Sequence, residues 1–367
     1  MRREPQWTEG DNDGRVVHVV GRMTDEVFSF LGPATATLAR RGIDQALVMI
    51  DELRHRPHLA GLDPAIDLVL VPRVRNPVTQ WQMVLKASRL AFARSPLRAI
   101  HLHGLLPCLA GAYAVRVAGV GAPIFYSPHG SRSLGKLRGI GALALWLFWP
   151  VLRPSRSSAI VNISQETRAF ENWRSVDLVE SPVADAFFAV PRNEARHPLI
   201  VTGGRNQNAR NTELLAQLAV LLSGEDLRIG FNWIGTVDPV SQARLKAANV
   251  GVFDVSSDAD CAARLAAGWI YVAPGGTRGF PLFLVEAMAA GLPCVAFDCA
   301  QHRAVILEND TGFLCASERE MMACIAALID SPALRARIGE AAREQARRRF
   351  GEARFSAKLL AAYALPG

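Results

Sequence analysis

The sequence predicts two α/β domains, each built on a parallel sheet with helices on its faces. Three observations lead there. The chain has 367 residues, more than one hydrophobic core usually serves. Half of them are apolar (50%), enough to fill large cores. From Arg15 onward, short apolar runs of strand length alternate with segments of helix length, as in successive βαβ units.

In chain order, residues 1–14 are polar, lack the apolar core of a signal peptide, and read as a disordered lead-in. Arg15–Val20 is the first strand. Gly21–Leu31 reads as a loop, and Gly32-Pro33 as the start of a helix that ends at Gly42. Strands follow at Ala46–Ile50, Asp67–Val71, Ala99–His103 and Ile124–Ser127, with a helix over Gln80–Ala93. In open parallel sheets ligands bind beyond the carboxyl ends of the strands. His103-Gly104 and His129-Gly130 stand at such ends. A lone histidine there is more often structural than functional, because function needs a specific partner. His18, inside the first strand, reads as a satisfied strand residue.

Ile140–Leu152 is the most apolar run of the chain, flanked by Lys136, Arg138, Arg153 and Arg156. It is too short to span a bilayer. It fits a core helix. It equally fits an interfacial element, with Trp146 and Trp149 at headgroup level and the cations on anionic lipid. A further strand is expected at Ala159–Ile163, and Leu178–Glu180 reads as a short apolar approach to Ser181. The polar, Pro-flanked stretch 189–198 reads as the linker between the domains.

The second half opens with a strand at Leu199–Thr202, followed by Gly203-Gly204-Arg205 and Arg210. Two glycines after a strand, then two cations five apart at a helix start, suit a diphosphate: backbone can approach closely and the cations neutralise its charge. The bland alternative is two solvated arginines. Phe231–Ile234 and Gly251–Phe253 are strands, and Asp258–Ala267 is a helix. The stretch that organises this half runs from Trp269 to Asp298. It reads as a strand to Ala273, a Pro-Gly-Gly-Thr-Arg-Gly loop, Pro281 in a first helical turn, and a helix from Leu282 to Ala290. Gly291 follows as a C-cap and Cys294–Phe297 as the next strand. Free N–H groups of such a loop and helix start favour an anion such as phosphate. Asp310–Leu314 reads as a turn and strand. Arg335–Phe350 is a strongly basic amphipathic helix whose charge is most simply a solvated face.

Within that stretch, Arg278-Gly-Phe-Pro-Leu-Phe-Leu-Val-Glu-Ala-Met-Ala-Ala-Gly-Leu-Pro-Cys-Val-Ala296 resembles the donor-site signature of glycosyltransferase family 4. These are retaining, sugar-nucleotide-dependent enzymes of the GT-B fold, two Rossmann-like domains facing a cleft. The resemblance implies that Glu286 holds the ribose hydroxyls of a nucleotide-diphosphate sugar. Gly276, Gly279, Phe280, Pro281 and Leu282 would complete the donor loop, and Gly203 and Gly204 would lie against the diphosphate. Arg205 matches the family's phosphate-binding Arg, and Arg210 replaces its Lys, keeping the charge in a different geometry. His129 would face the donor sugar; His103 is a further candidate near the acceptor. The chief departure is Arg278, where the family has Glu. Three outcomes are open: pairing with a carboxylate on the donor sugar, reinforced diphosphate binding, or lost activity.

The resemblance also implies domains at 15–190, for the acceptor, and 191–346, for the nucleotide sugar, with a helix over 347–367 crossing back to the first. It implies no metal and no cofactor, the cations serving instead. The partners expected are a nucleotide sugar and a glycan or lipid-linked acceptor. Lys136, Arg138, Trp146 and Trp149 would make a peripheral membrane contact. The rival readings are a GT-B-fold sugar-nucleotide epimerase and a non-catalytic subunit of a polysaccharide assembly complex.

The formal net charge is +7, and through residue 190 there are 22 Lys and Arg against 16 Asp and Glu. A basic first half suits a phosphorylated substrate or a membrane surface. Nucleic acid is disfavoured, because the cations are dispersed and no basic stripe interleaved with aromatics is present. The six cysteines include no Cys-x-x-Cys pair, so reduced thiols and a cytoplasmic setting are expected, with the peripheral contact at the inner face of the membrane.

Overall fold

A computed structural model describes residues 14–21, 23–52, 59–94, 96–104, 110–111, 113–115, 117, 119–129, 157–170, 173–204, 209–223, 229–276 and 279–363. The chain divides into two compact units: residues 1–180 with Ser356–Gly367, and Ser181–Phe355.

The first unit holds a parallel sheet of β1 (Arg15–Val20), β2 (Gln45–Asp51), β3 (Asp67–Pro72), β4 (Leu97–His103), β5 (Ile124–Ser127), β6 (Ser157–Val161) and β7 (Val176–Leu178). Their spatial order is β3-β2-β1-β4-β5-β6-β7, so the direction of winding reverses between β1 and β4. The inner strands read as continuous apolar runs because both faces are covered. The outer strand β3 alternates instead, with Leu68 and Leu70 exposed. Val17, Val19, Val48, Ile100 and Leu102 centre the core.

Helix α1 (Asp25–Ala39) begins well before Gly32-Pro33. Thr24 caps it, its hydroxyl accepting from Val27 N–H at 3.3 Å, and Asp25 and Glu26 complement the helix dipole in the first turn. Pro33 lies inside the helix. The loop expected at Gly21–Leu31 is therefore mostly helix: the cap and the buried face of Val27, Phe30, Leu31 and Leu38 outweigh the one backbone bond that Pro33 removes. Helix α2 (Pro77–Ala93) starts on the Asn76 cap with Pro77 in its first turn.

The second unit repeats the plan: β8 (Leu199–Gly203), β9 (Gly230–Ile234), β10 (Val250–Phe253), β11 (Ile270–Ala273), β12 (Cys294–Phe297) and β13 (Gly312–Cys315), in the order β10-β9-β8-β11-β12-β13. All are parallel, and the reversal lies between β8 and β11. Helices in this unit are α3 (Asp185–Ala189), α4 (Ala209–Ser223), α5 (Pro239–Ala247), α6 (Asp258–Ala267), α7 (Leu282–Ala289), α8 (Ala300–Arg303), α9 (Glu318–Asp330) and α10 (Pro332–Phe350). Gly291, at φ 79°, takes the left-handed position after α7, where a side chain would be strained.

The division at Glu180/Ser181 precedes the linker expected over 189–198. Residues 181–195 are held by the second unit's own groups: Val183 N–H donates to Phe350 O at 2.9 Å, Arg343 donates to Phe188 O and Val190 O, and Arg335 pairs with Glu194 at 3.2 Å. Arg335 is 5% exposed and stacks 3.9 Å over the Trp269 ring. The basic charge of α10 is thus partly structural, in place of the wholly solvated face expected. The last helix, α11 (Glu352–Ala362), carries the chain back into the first unit. There Ser356 bonds Thr37 at 2.9 Å and Lys358 pairs with Glu180 at 3.4 Å. Among the described residues no helix is long and apolar enough to cross a membrane; Ile140–Leu152 lies outside them.

Candidate functional site

In the second unit, two loops meet at the sheet's reversal point, beyond the carboxyl ends of β8 and β11, where open α/β sheets bind ligands. β8 runs into Gly203 and Gly204, and Gly204 N–H donates to Ile234 O at 3.1 Å. A Cβ on Gly203 would stand 2.0 Å from that same Ile234 oxygen, so only glycine fits. Arg205 lies outside the described residues. Arg210 is exposed in the first turn of α4. Asn211, next to it, reaches the other loop: a Cβ on Gly275 would meet Asn211 Oδ1 at 2.4 Å. That oxygen is buried with no hydrogen-bond partner among the described residues. Sequence reasoning passed over it, because only the fold brings 211 beside 275.

The second loop leaves β11 and enters α7. Among the described residues Gly276 is open, with Cys299 the nearest group at 4.0 Å from where its Cβ would be. Arg278 lies outside the described residues. Gly279 has φ 69°. Phe280 is buried, its ring edge against Phe350 at 5.6 Å. Pro281 takes the cap position of α7, one residue before the first turn expected for it, and Leu282 begins the helix. Glu286, one turn on, is 2% exposed. Behind the helix, burial pushes the Tyr271 hydroxyl up, and Cys294 and Glu286 add to this. Burial raises the half-buried Cys299 thiol, but hydrogen bonds and charge from His302 outweigh it and bring it to about 7.

In the first unit the reversal point carries four histidines. His18 comes from β1, and His101 and His103 from β4, two apart and so on one face. His129 follows β5. His18 Nδ1 lies 3.1 Å from His103 Nε2, and His103 Nδ1 lies 2.8 Å from His129 Nε2. His101 Nε2 lies 2.8 Å from Ser127 Oγ, which itself donates to Ile160 O at 2.8 Å. His101 Nδ1 lies 2.5 Å from the Tyr363 hydroxyl. Phe30 packs edge-on against His129 at 5.4 Å and His101 at 5.9 Å.

Burial keeps all four rings neutral: His18 is brought down to about 4 and His129 to about 3, and His101 and His103 lie well below the ordinary value, their neighbours' rings adding to burial. His18, expected as a satisfied strand residue, is tied through Nδ1 to His103. His129 adopts φ 47°, an uncommon backbone conformation for a side chain of this size that is often kept at functional positions. His18, His101 and His103 also present nitrogens within 4.8 Å of one another, a grouping that sequence spacing did not reveal. His18 Nδ1 meets His103 Nε2, and the two His101 nitrogens meet Tyr363 and Ser127, while His18 Nε2 has no partner among the described residues.

The same end of the sheet carries two carboxylates that sequence reasoning missed. Glu26 in the first turn of α1 is pushed up to about 8 by burial and by the charge of Glu166, after β6. Lys136, Arg138, Trp146 and Trp149 lie outside the described residues.

Residues 190–345 match the family described as Glycosyl transferases group 1. Among curated proteins, an uncharacterised glycosyltransferase of Haemophilus influenzae is 43% identical over 68 residues, which is 18% of this chain and 19% of that protein. Among solved structures, HepE of Anabaena in complex with UDP is similar at TM-score 0.76 and 14% identity, over 95% of this chain and 99% of that one. Sucrose-phosphate synthase of Thermosynechococcus elongatus is similar at 0.72 and 16%, over 96% and 98%. A lipopolysaccharide outer core galactosyltransferase, WaaB, is similar at 0.68 and 13%, over 95% and 98%. The two parallel-sheet α/β units thus have the fold of GT-B glycosyltransferases.

Proposed function

We propose that this protein, whose residues 190–345 form a Glycosyl transferases group 1 domain, transfers a sugar from a nucleotide-diphosphate sugar to a glycan or lipid-linked acceptor, with retention at the anomeric carbon. The observation that carries the reading is the loop between β11 and α7: Gly276 is open, and Glu286 stands one turn into the helix behind it, inside the matched region. The nucleotide sugar would lie on the second unit. Glu286 would accept hydrogen bonds from the ribose hydroxyls. Arg205 and Arg210 would neutralise charge on the departing diphosphate, assisted by N–H groups of Gly276 and Gly279 and the start of α7. These groups supply what a metal ion would, so the reading asks for none. His129 would contact the donor sugar.

The complex of HepE with UDP makes UDP the first nucleotide to test. The likeness to the lipopolysaccharide galactosyltransferase WaaB supports a cell-surface glycan as acceptor. Lys136, Arg138, Trp146 and Trp149 would bring the protein to the inner face of the membrane, where a lipid-linked acceptor resides. Arg278 would alter the choice of sugar, favouring a donor with a carboxylate.

The test is calorimetric titration of the wild type and Glu286→Ala with UDP, GDP and neutral and uronic nucleotide sugars. Tight binding of one donor, lost in the variant, supports the reading. A preference for a uronic donor assigns Arg278 its role. If neither the sugars nor the free diphosphates bind, the reading falls behind that of a non-catalytic partner subunit.

A further inference from the structure

Two cysteines of the second unit touch where a helix packs on the sheet. Cys315 ends β13, and Cys324 stands in the second turn of α9. They are nine positions apart in the chain, and their sulfurs are 3.9 Å apart. The backbone on both sides of Cys315 is pinned. Leu314 N–H donates to Glu308 Oε2 at 2.8 Å, and Ala316 N–H donates to Glu320 Oε2 at 2.8 Å. The Cys315 carbonyl accepts from Asp298 N–H at 2.8 Å. Ser317 caps α9, its hydroxyl accepting from Glu320 N–H at 3.2 Å, and Met321, Ile325 and Leu328 bury the helix face. Strand and helix thus hold the two sulfurs in contact. A disulfide bond is about 2 Å long, so each sulfur has about 1 Å to travel.

We propose that Cys315 and Cys324 are a modification site, a dithiol that a low-molecular-weight disulfide oxidises reversibly to a disulfide tying α9 to β13. Access sets the order of events, because Cys324 is half-buried and Cys315 is 1% exposed. The Cys324 thiolate attacks one sulfur of a disulfide such as oxidised glutathione, and one glutathione thiolate leaves. The Cys315 thiolate then attacks Cys324 Sγ and displaces the second glutathione. Two protein thiols are oxidised, one glutathione disulfide is reduced to two thiols, and these carry away the two protons.

Burial above all holds both thiols above the ordinary thiol value, and Glu308 and Glu320 add to it. Both therefore stay protonated at neutral pH, and the pair persists as thiols in a reducing setting. Structural zinc, which also takes cysteine pairs, needs four ligands. Among the described residues no third histidine, cysteine or carboxylate ligand atom joins the two sulfurs within 4.8 Å. Closure needs no bound nucleotide, so it stands or falls apart from the transferase reading.

Peptide mapping tests it. The full chain is incubated with oxidised glutathione, free thiols are alkylated, and the protein is cut with trypsin without reductant. Cleavage after Arg303, Arg319 and Arg335 puts Cys315 in residues 304–319 and Cys324 in residues 320–335. The expected product is these two peptides joined, lighter than their sum by two hydrogens, and parted again by dithiothreitol. Two separate peptides, with Cys324 alkylated or carrying glutathione, overturn the proposal, as does a link from either to another cysteine. The link should form faster in the folded chain than in urea, where all six cysteines compete; an equal rate overturns it too. Oxidation should raise the urea midpoint, and the same treatment of Cys324→Ser should not. An equal rise in that variant would show that the tie between α9 and β13 is not the cause. If Cys324→Ser does not fold, the peptide map of the wild type decides.

Discussion

The Tyr363 hydroxyl stands 2.5 Å from His101 Nδ1, with both side chains buried. One residue after the last helix is thereby bonded to the central strand of the first unit. Tyr363→Phe keeps the ring packing against Phe125 (4.7 Å) and removes only the hydroxyl. A buried ring nitrogen left without its donor costs about 1–3 kcal/mol. The urea midpoint of the variant should fall accordingly; an unchanged midpoint would mean that the bond contributes nothing net.

The four buried rings make stability depend on acid. Their folded values lie below the ordinary 6.5, so below that pH the unfolded chain binds protons that the folded chain refuses. Stability is therefore lost as pH falls from about 6.5 toward about 4, by up to about 1.4 kcal/mol per ring per pH unit. Glu26 has the opposite sign. Its folded value is raised from 4.5 to about 8, so its contribution is present below 4.5 and lost as pH rises through about 8. Urea unfolding of the wild type should show stability falling on both sides of an optimum, and Glu26→Gln should flatten the alkaline side and steepen the acid side between about pH 4.5 and about pH 6.5. A profile level between about pH 5 and about pH 7 would contradict the buried, neutral rings.

Two glycines of the second unit should respond differently to the same added methyl. At Gly203 a Cβ would lie 2.0 Å from Ile234 O and 2.9 Å from the Phe283 ring, whereas at Gly276 nothing among the described residues lies closer than 4.0 Å. Gly203→Ala forces the backbone to move and should cost about 1–3 kcal/mol. Gly276→Ala should leave the thermal midpoint near wild type. Equal midpoints for the two variants would show that the β8 turn yields more easily than its geometry implies.

Arg335 holds the stretch leading into the second unit to helix α10. It stacks on Trp269, pairs with Glu194 and donates to Leu328 O and Ile329 O. Arg335→Ala strands these partners and should cost about 3 kcal/mol. Arg335→Lys should recover little, since an ammonium cannot reproduce the planar fork. Guanidinium unfolding of the three proteins measures both, and full recovery by Lys would point to charge alone.

Strands were legible where short apolar runs stood between turn residues: β1, β5 and β12 fall at the expected residues, whereas β6 begins two residues before the expected Ala159. Helix α1 was misread because Gly32-Pro33 resembles a start signal, while the actual start is the Thr24 cap with Asp25 and Glu26 behind it. The domain boundary was drawn at a polar linker. The contacts that bind Ser181–Val190 to Phe350 and Arg343 come from residues far along the chain, and no local pattern announces them.

By itself the sequence determined the class of fold, through the alternation of strand-length and helix-length segments. It also determined the glycine-rich turn before Glu286, because spacing along a strand, loop and helix is a local property. Only the tertiary structure decided that His18, His101, His103 and His129 form one buried cluster closed by Tyr363. These residues lie on different strands and on the C-terminal segment. What joins them is the winding order of a parallel sheet, which sets β1 beside β4 and β4 beside β5. Burial then fixes their protonation, because water that would accept or supply a proton is excluded.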